Sequence, residues 1–427
     1  MLASAADHAE IQDFLEQVFP QYARSEFLSS LDDPFYEPRD RLLLKDAGRV
    51  VAHVHLTRRV MELEGVRLPI SGVAGLAILP EYRGRGLARA LLRAAQRYML
   101  RDRSLLGMLR TSIPRFFRTE GWAVCGRHSQ ARAGVRLLLA QLASAGVQPC
   151  QPGLRIRPWR QMELAGLQRV YDSNAATAAG PLVRTEAYWR WLVSRQAYDQ
   201  IYVAVGEAES ADPCDPTAPA AYGSEGRRGG GPIHGYCILK HHQIVELMAL
   251  PGRTRVAQAL LAHACSEIVE QDFDVVELHA APDDPLLEHF RRAGGSIYLH
   301  EVSQGEVYMM KVLNAPALLR ALAPRFVARA APLRPWKPAA IGFHVNGQKL
   351  RLLLTRGGVR VGHNKTGRHY LSVSDTDFTR LLVGHLSLAE TIEAGRARCS
   401  TRLAQQVGLA LLPRLPLWRP PLDELRA

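Results

Sequence analysis

Residues 74–88 read Ala74-Gly75-Leu76-Ala77-Ile78-Leu79-Pro80-Glu81-Tyr82-Arg83-Gly84-Arg85-Gly86-Leu87-Ala88. An apolar run ends at Pro80, an arginine and two glycines follow, and Leu87, Leu91, Ala94 and Tyr98 then recur on one helical face. The string is a strand, a glycine turn and the start of a helix. Glycines let the backbone approach an anion closely, and the first helical turn offers unpaired N–H groups at the positive end of its dipole. Arg-x-x-Gly-x-Ala over Arg83–Ala88 therefore suits a diphosphate, held without metal by charge-assisted hydrogen bonds of roughly 1.5–3 kcal/mol each. A dinucleotide fold needs Gly-x-Gly-x-x-Gly and a P-loop needs Gly-Lys-Ser or Gly-Lys-Thr, and this loop has neither.

The elements around the loop make a mixed α/β unit. An amphipathic helix is predicted around Ile11 to Phe19, with strands at Arg41 to Lys45, Val50 to Thr57 and Ile70 to Leu79. After the loop helix come a strand near Leu105 to Thr111 and a short helix around Pro114 to Thr119. A second region repeats this order: strands Ile233 to Leu239 and Ile244 to Leu250, helix Val256 to Glu270, strand Asp274 to Ala280, helix Pro285 to Ala293. A third alternates apolar residues from Ile341 to Val361 as antiparallel strands do, then turns helical at Asp375 to Leu382, Leu388 to Ala394 and Ser400 to Leu412.

Joints fall near Cys150 and at the proline-punctuated Pro316 to Pro338. Residues 207–231 combine Ala, Pro, Gly and charge with no apolar period, so they read as a flexible excursion between the strand-like runs Ile201 to Val205 and Ile233 to Leu239. The expected domains are 1–148, 149–315 and 316–427.

A chain of 427 residues with 47% apolar and 22% charged residues belongs to ordinary globular protein. No stretch approaches the ~20 apolar residues of a membrane span, and the start lacks a signal-peptide pattern, so a cytoplasmic address and no membrane partner are expected. The six cysteines form no Cys-x-x-Cys pair, which argues against a zinc site or disulfide framework. A net charge of +13 raises nucleic-acid binding as a class. Only six of the 54 basic residues are lysine, however, and the arginines are scattered. No nucleic-acid partner is expected.

The run Val73 to Leu92 resembles motif A of the GCN5-related N-acetyltransferases. Phe116-Phe117-Arg118-Thr119-Glu120-Gly121-Trp122 resembles the aromatic segment after their fifth strand. The resemblance implies that acetyl-CoA is the co-substrate and that no metal takes part. It implies that the backbone of Leu76, Ala77 and Ile78 bonds the pantetheine arm. Arg83, Gly84, Arg85, Gly86, Leu87, Ala88 and Arg89 would wrap the pyrophosphate, with Phe117 and Arg118 on the cofactor's other side. Across nearly all of the chain the plan is similar to Eis-like acetyltransferases: one intact domain, a degenerate second copy and a sterol-carrier-like C-terminal domain, the last read from Val373 to Gly384. Leu250-Pro251-Gly252-Arg253-Thr254-Arg255-Val256-Ala257, at the second copy's loop position, lacks the paired glycines, so a single acetyl-CoA site is expected.

Transfer of acetyl to an amine needs a neutral amine, donors for the developing oxyanion and a proton for the departing thiolate. The resemblance makes the C-terminal carboxylate, on Ala427, the candidate base, with Asp423 the alternative. Trp122 stands where relatives place a tyrosine acid, and indole N–H does not ionise usefully. Trp122 is therefore expected only to contact the acceptor, and Tyr98 and His128 are candidate acids by type alone. The expected function is N-acetylation of a polyamine, an aminoglycoside-like cation or a lysine by a homo-oligomer. The alternative is a non-catalytic protein that binds acetyl-CoA or lipid.

Overall fold

The computed structural model describes residues 1–19, 24–148, 153–206, 231–303, 305–333, 339–355 and 358–424. The proposed excursion at 207–231 thus lies outside the described residues, save Gly231, as do Cys150 and Ala427.

Three sheets organise the chain. In the first, β1 (Arg41–Asp46), β2 (Arg49–Leu63), β3 (Val66–Ile78) and β4 (Leu106–Thr111) lie side by side, and Glu306–Val312 follows β4. β2 and β3 form an antiparallel ribbon longer than the sequence suggests, because Val66-Arg67-Leu68-Pro69-Ile70 continues the apolar alternation. The short β5 (Ala123–Val124) pairs with Glu306–Val312, and Ala179–Leu182 pairs with β2. Helices α1 (His8–Val18) and α2 (Arg24–Leu31) pack at the β1–β2 end, where Ile11, Phe14 and Phe27 are buried with Leu43 and Val51. Helix α3 (Leu87–Arg101) covers the sheet through Leu91, Leu92, Ala95 and Met99, and α4 (Pro114–Thr119) follows β4.

The next strand, β6 (His128–Gly134), leaves the first sheet and enters the second between Val275–His279 and Ser296–His300. In return Glu306–Val312 pairs with β4, from Val307 opposite Thr111 to Val312 opposite Leu106. The two sheets thus exchange strands, and boundaries at 148 and 315 do not follow them. Local pattern cannot reveal such an exchange, because each strand has the same alternation in either sheet.

The third sheet joins Ala339–Val345, Gln348–Thr355 and Gly358–His363 as antiparallel neighbours and adds Tyr370–Val373 in parallel to Ala339–Val345. Phe343 of this sheet and Phe378 of the helix Asp375–Leu382 share one apolar cluster with Leu68, Leu106 and Met310 of the first sheet. The third unit is therefore packed onto the first. No described helix is long and apolar enough to cross a membrane.

Candidate functional site

β3 and β4 run parallel from Ile70 opposite Leu106 to Val73 opposite Leu109, and the pairing ends there. At the same level β3 carries an extra residue: His53 opposes Ala77 while His55 opposes Ala74. Gly75 sits in this bulge at φ +55°, a conformation that favours glycine, and a Cβ there would stand 3.3 Å from the His53 ring. His53 Nδ1 lies 2.8 Å from the Gly75 carbonyl, and Arg41 Nη1 lies 3.1 Å from His53 Nε2. A guanidinium can only donate, so Nε2 accepts and the Nδ1 proton is donated to Gly75. Burial, reinforced by Arg41, holds the imidazole down at about 3, so this neutral tautomer persists.

Beyond the bulge the chain makes a short 3₁₀ turn at Pro80–Tyr82, and Gly86 caps α3 at φ +76°. Gly84 also lies at positive φ, +78°, and a Cβ on either glycine would meet nothing within 4 Å. Open space in front of first-turn amides makes a cradle for an anion. The Arg85 side chain donates to the Glu81 carbonyl at 3.0 Å and lies over Tyr82, while Arg89 pairs with Glu120 at 2.5 Å.

A cavity of about 700 Å³ opens where β3 and β4 part. One wall is the bulge, Val73 to Leu76, with Phe117. A second is Arg41, His53 and His55, and a third is the β4 end with Glu306 and Tyr308. The tail closes it. Leu422 is buried, and Asp423 accepts from Arg184 at 3.1 and 3.0 Å. Arg184 also holds Glu246 through two bonds of 2.8 Å and lies over the Tyr171 and Trp189 rings, so this fully buried triad fixes the tail. Glu424 faces the cavity, 3.3 Å from Arg419 and 3.9 Å from Arg110. Burial pushes its carboxyl up to about 8, opposed by Arg110 and aided by Glu306.

Of the residues singled out in the sequence, Leu76 and Phe117 line the cavity, Ala77 and Ile78 are buried beside it, and Arg83 to Arg89 form the cradle. Arg118 is exposed on α4. Trp122 corrects the expectation of acceptor contact. It is 0% exposed and packs edge-on against Phe117 and over Gly107, where a Cβ would fall 2.7 Å from its ring. Asp423 is bound in the triad rather than free to act as a base. Tyr98 packs against the α3 core, and His128 stacks on Tyr308 at 4.7 Å, held down at about 4 chiefly by burial; neither lines the cavity. Sequence reasoning missed Glu424, Tyr308, Arg41 and the two histidines. The histidines did leave a signal, since Ala52-His53-Val54-His55-Leu56 puts both on one face of an apolar strand.

No group of three or more His, Cys, Asp or Glu suited to a metal occurs among the described residues. Residues 2–125 match the family model described as an acetyltransferase (GNAT) domain. No curated protein matches the chain. Among solved structures, a probable N-acyltransferase from Enterococcus faecalis V583 superposes with a TM-score of 0.75 at 14% identity, over 97% of this chain and 96% of that one. A GCN5-related N-acetyltransferase from Anabaena variabilis ATCC 29413 gives 0.74 at 16% identity over 98% of both chains. Eis1 from Mycobacterium abscessus gives 0.65 at 16% identity, over 97% of this chain and 98% of that one. At such identities the likeness is one of fold. Residues 2–125 are a GNAT acetyltransferase domain, set in a chain whose whole architecture these structures share.

Proposed function

We propose that the protein transfers acetyl from acetyl-CoA to a primary amine by direct attack within the cavity. The observation that carries this is the opening between β3 and β4, with the Gly75 bulge on one side and the glycine cradle beyond it. The cradle has room and donors for the pyrophosphate, and the parted strands leave β3 amides free to bond the pantetheine arm. The second region has Gly252 before its helix Thr254–Glu270 but no paired glycines, so one acetyl-CoA binds per chain. In this reading 149–315, with β6 exchanged in and Glu306–Val312 exchanged out, is a degenerate copy of the first domain. The sterol-carrier-like 316–427 delivers the tail, with Trp418 N–H bonded to the Ala179 carbonyl at 2.9 Å.

Within the cavity Glu424 is the candidate base. A carboxyl near 8 is ionised in a fraction of molecules at neutral pH and increasingly above it, and that carboxylate is basic enough to take a proton from an ammonium. Tyr308, on the strand exchanged into the first sheet, is the candidate donor to the thiolate. The Ala427 carboxylate remains a second candidate base. Thiol release from acetyl-CoA with a panel of primary amines tests the reading, and Glu424→Gln tests the base. No release with any amine refutes the transfer. Normal turnover in Glu424→Gln together with failure on C-terminal extension assigns the base to Ala427.

A further inference from the structure

The charges around the cavity describe its acceptor. Five carboxyls line it: Asp33 holds Arg59, Glu306 holds Arg110 at 2.7 Å and Asp423 holds Arg184, while Glu424, the candidate base, lies 3.3 Å from Arg419. The fifth, Glu26, is engaged as well. Two of its aromatic faces are also covered by arginines. Arg59 lies 4.6 Å from the Tyr188 ring centroid, and Arg195 lies 4.3 Å from that of Trp191. A polycation would find three of the cavity's carboxylates and two of its aromatic faces already occupied by arginines.

Arg41 is the opposite case. It lines the same cavity, is 1% exposed, and no carboxylate of the described residues stands within ion-pair distance. Its Nε donates to the Tyr36 hydroxyl at 3.2 Å, one Nη to Ser30 Oγ at 2.7 Å and the other to His53. Those bonds use three of its five N–H groups. Beside it His55, 9% exposed, also lines the cavity, and burial and Arg41 keep its imidazole neutral. A buried guanidinium without a counter-ion is costly, and an arriving anion removes the cost. Only one imidazole and two hydrogen bonds, 3.1 and 2.8 Å, separate Arg41 from the Gly75 bulge. An anion received by Arg41 therefore sits one imidazole away from the Gly75 bulge.

We infer that the acceptor is an amino-acid-like zwitterion on an apolar body, its carboxylate received by Arg41 and its amine directed at the thioester beside the Gly75 bulge. The apolar body meets Leu15, Phe19, Val73 and Leu182. This rests on the acetyl-transfer reading above. The test measures thiol release from acetyl-CoA with L-leucine, L-methionine and L-phenylalanine, each as free acid and as methyl ester, and with spermidine. The expected result is a kcat/KM about tenfold or more higher for at least one free acid than for its ester and for spermidine. In Arg41→Gln the acid-to-ester ratio falls towards one, while Arg41→Lys keeps part of it. If the Gln variant does not fold, the wild-type ratio and Arg41→Lys decide. A wild-type ratio near one, spermidine as the best acceptor, or an unchanged ratio in Arg41→Gln overturns the inference and leaves acetyl transfer standing. If no amine releases thiol, acetyl transfer fails and melting temperature decides the anion site. N-acetyl-L-phenylalanine raising the wild-type midpoint more than its amide supports the site, and equal shifts overturn it.

Discussion

Glu424→Gln separates the cost of holding a carboxyl in the cavity from its use. The folded protein keeps this carboxyl at about 8, against an ordinary 4.5. Between those values the folded state binds a proton that the unfolded state has released, so stability falls as pH rises from about 4.5 to about 8 and then levels. At 1.36 kcal/mol for each pH unit, the full difference is at most about 5 kcal/mol. The side chain is 19% exposed to a water-accessible cavity. Screening there reduces the expected loss to about 2–3 kcal/mol. Glutamine has the same shape and no proton to lose. Urea unfolding of both full-length proteins from pH 5 to pH 8.5 should therefore give similar stabilities at pH 5 and a variant more stable by about 2–3 kcal/mol at pH 8.5. Turnover should move the other way, falling ~100-fold with the base removed, while acetyl-CoA affinity holds. Parallel stability curves across the whole range would refute the buried-carboxyl argument.

Gly86→Asp should lose most of the acetyl-CoA thermal stabilisation, roughly 2.7 kcal/mol at 100 times the dissociation constant, whereas Gly86→Asn should keep more of it. Both adopt the same strained φ in open space, so equal losses by calorimetry would show that charge at the cradle is irrelevant. Arg184→Met leaves Glu246 and Asp423 buried without a cation and should cost about 3–5 kcal/mol in urea. Asp423→Asn leaves the Arg184–Glu246 pair intact and should cost less, about 1–3 kcal/mol. The reverse order would disprove the triad as the tail's anchor. Replacing 207–231 with a short Gly-Ser turn should shift the melting temperature by no more than ~2 °C, because Gly206 N–H already bonds the Pro232 carbonyl at 3.1 Å. A loss of several degrees would assign that segment a packed role.

The residues that bind an anion through the backbone were legible from order alone. Arg83-Gly84-Arg85-Gly86-Leu87-Ala88 works through glycine φ values and helix N–H groups, and both follow from the local string. Strand and helix periods in the first region were legible for the same reason. The acceptor side was not, because it is assembled from distant positions: Arg41 and His53 from neighbouring strands, Tyr308 from a strand exchanged out of the second region, Glu424 from a tail held by Arg184. Trp122 shows the opposite error, a residue chosen for its place in a motif that is consumed by packing against Gly107. Whether an ionisable side chain is a pillar or a reagent depends on which charges and how much water surround it. Asp423 and Glu424 are adjacent in the chain and both line the cavity, yet Asp423 is buried in two bonds to Arg184 while Glu424 stays partly open to the cavity, a difference that exists only after the chain has folded.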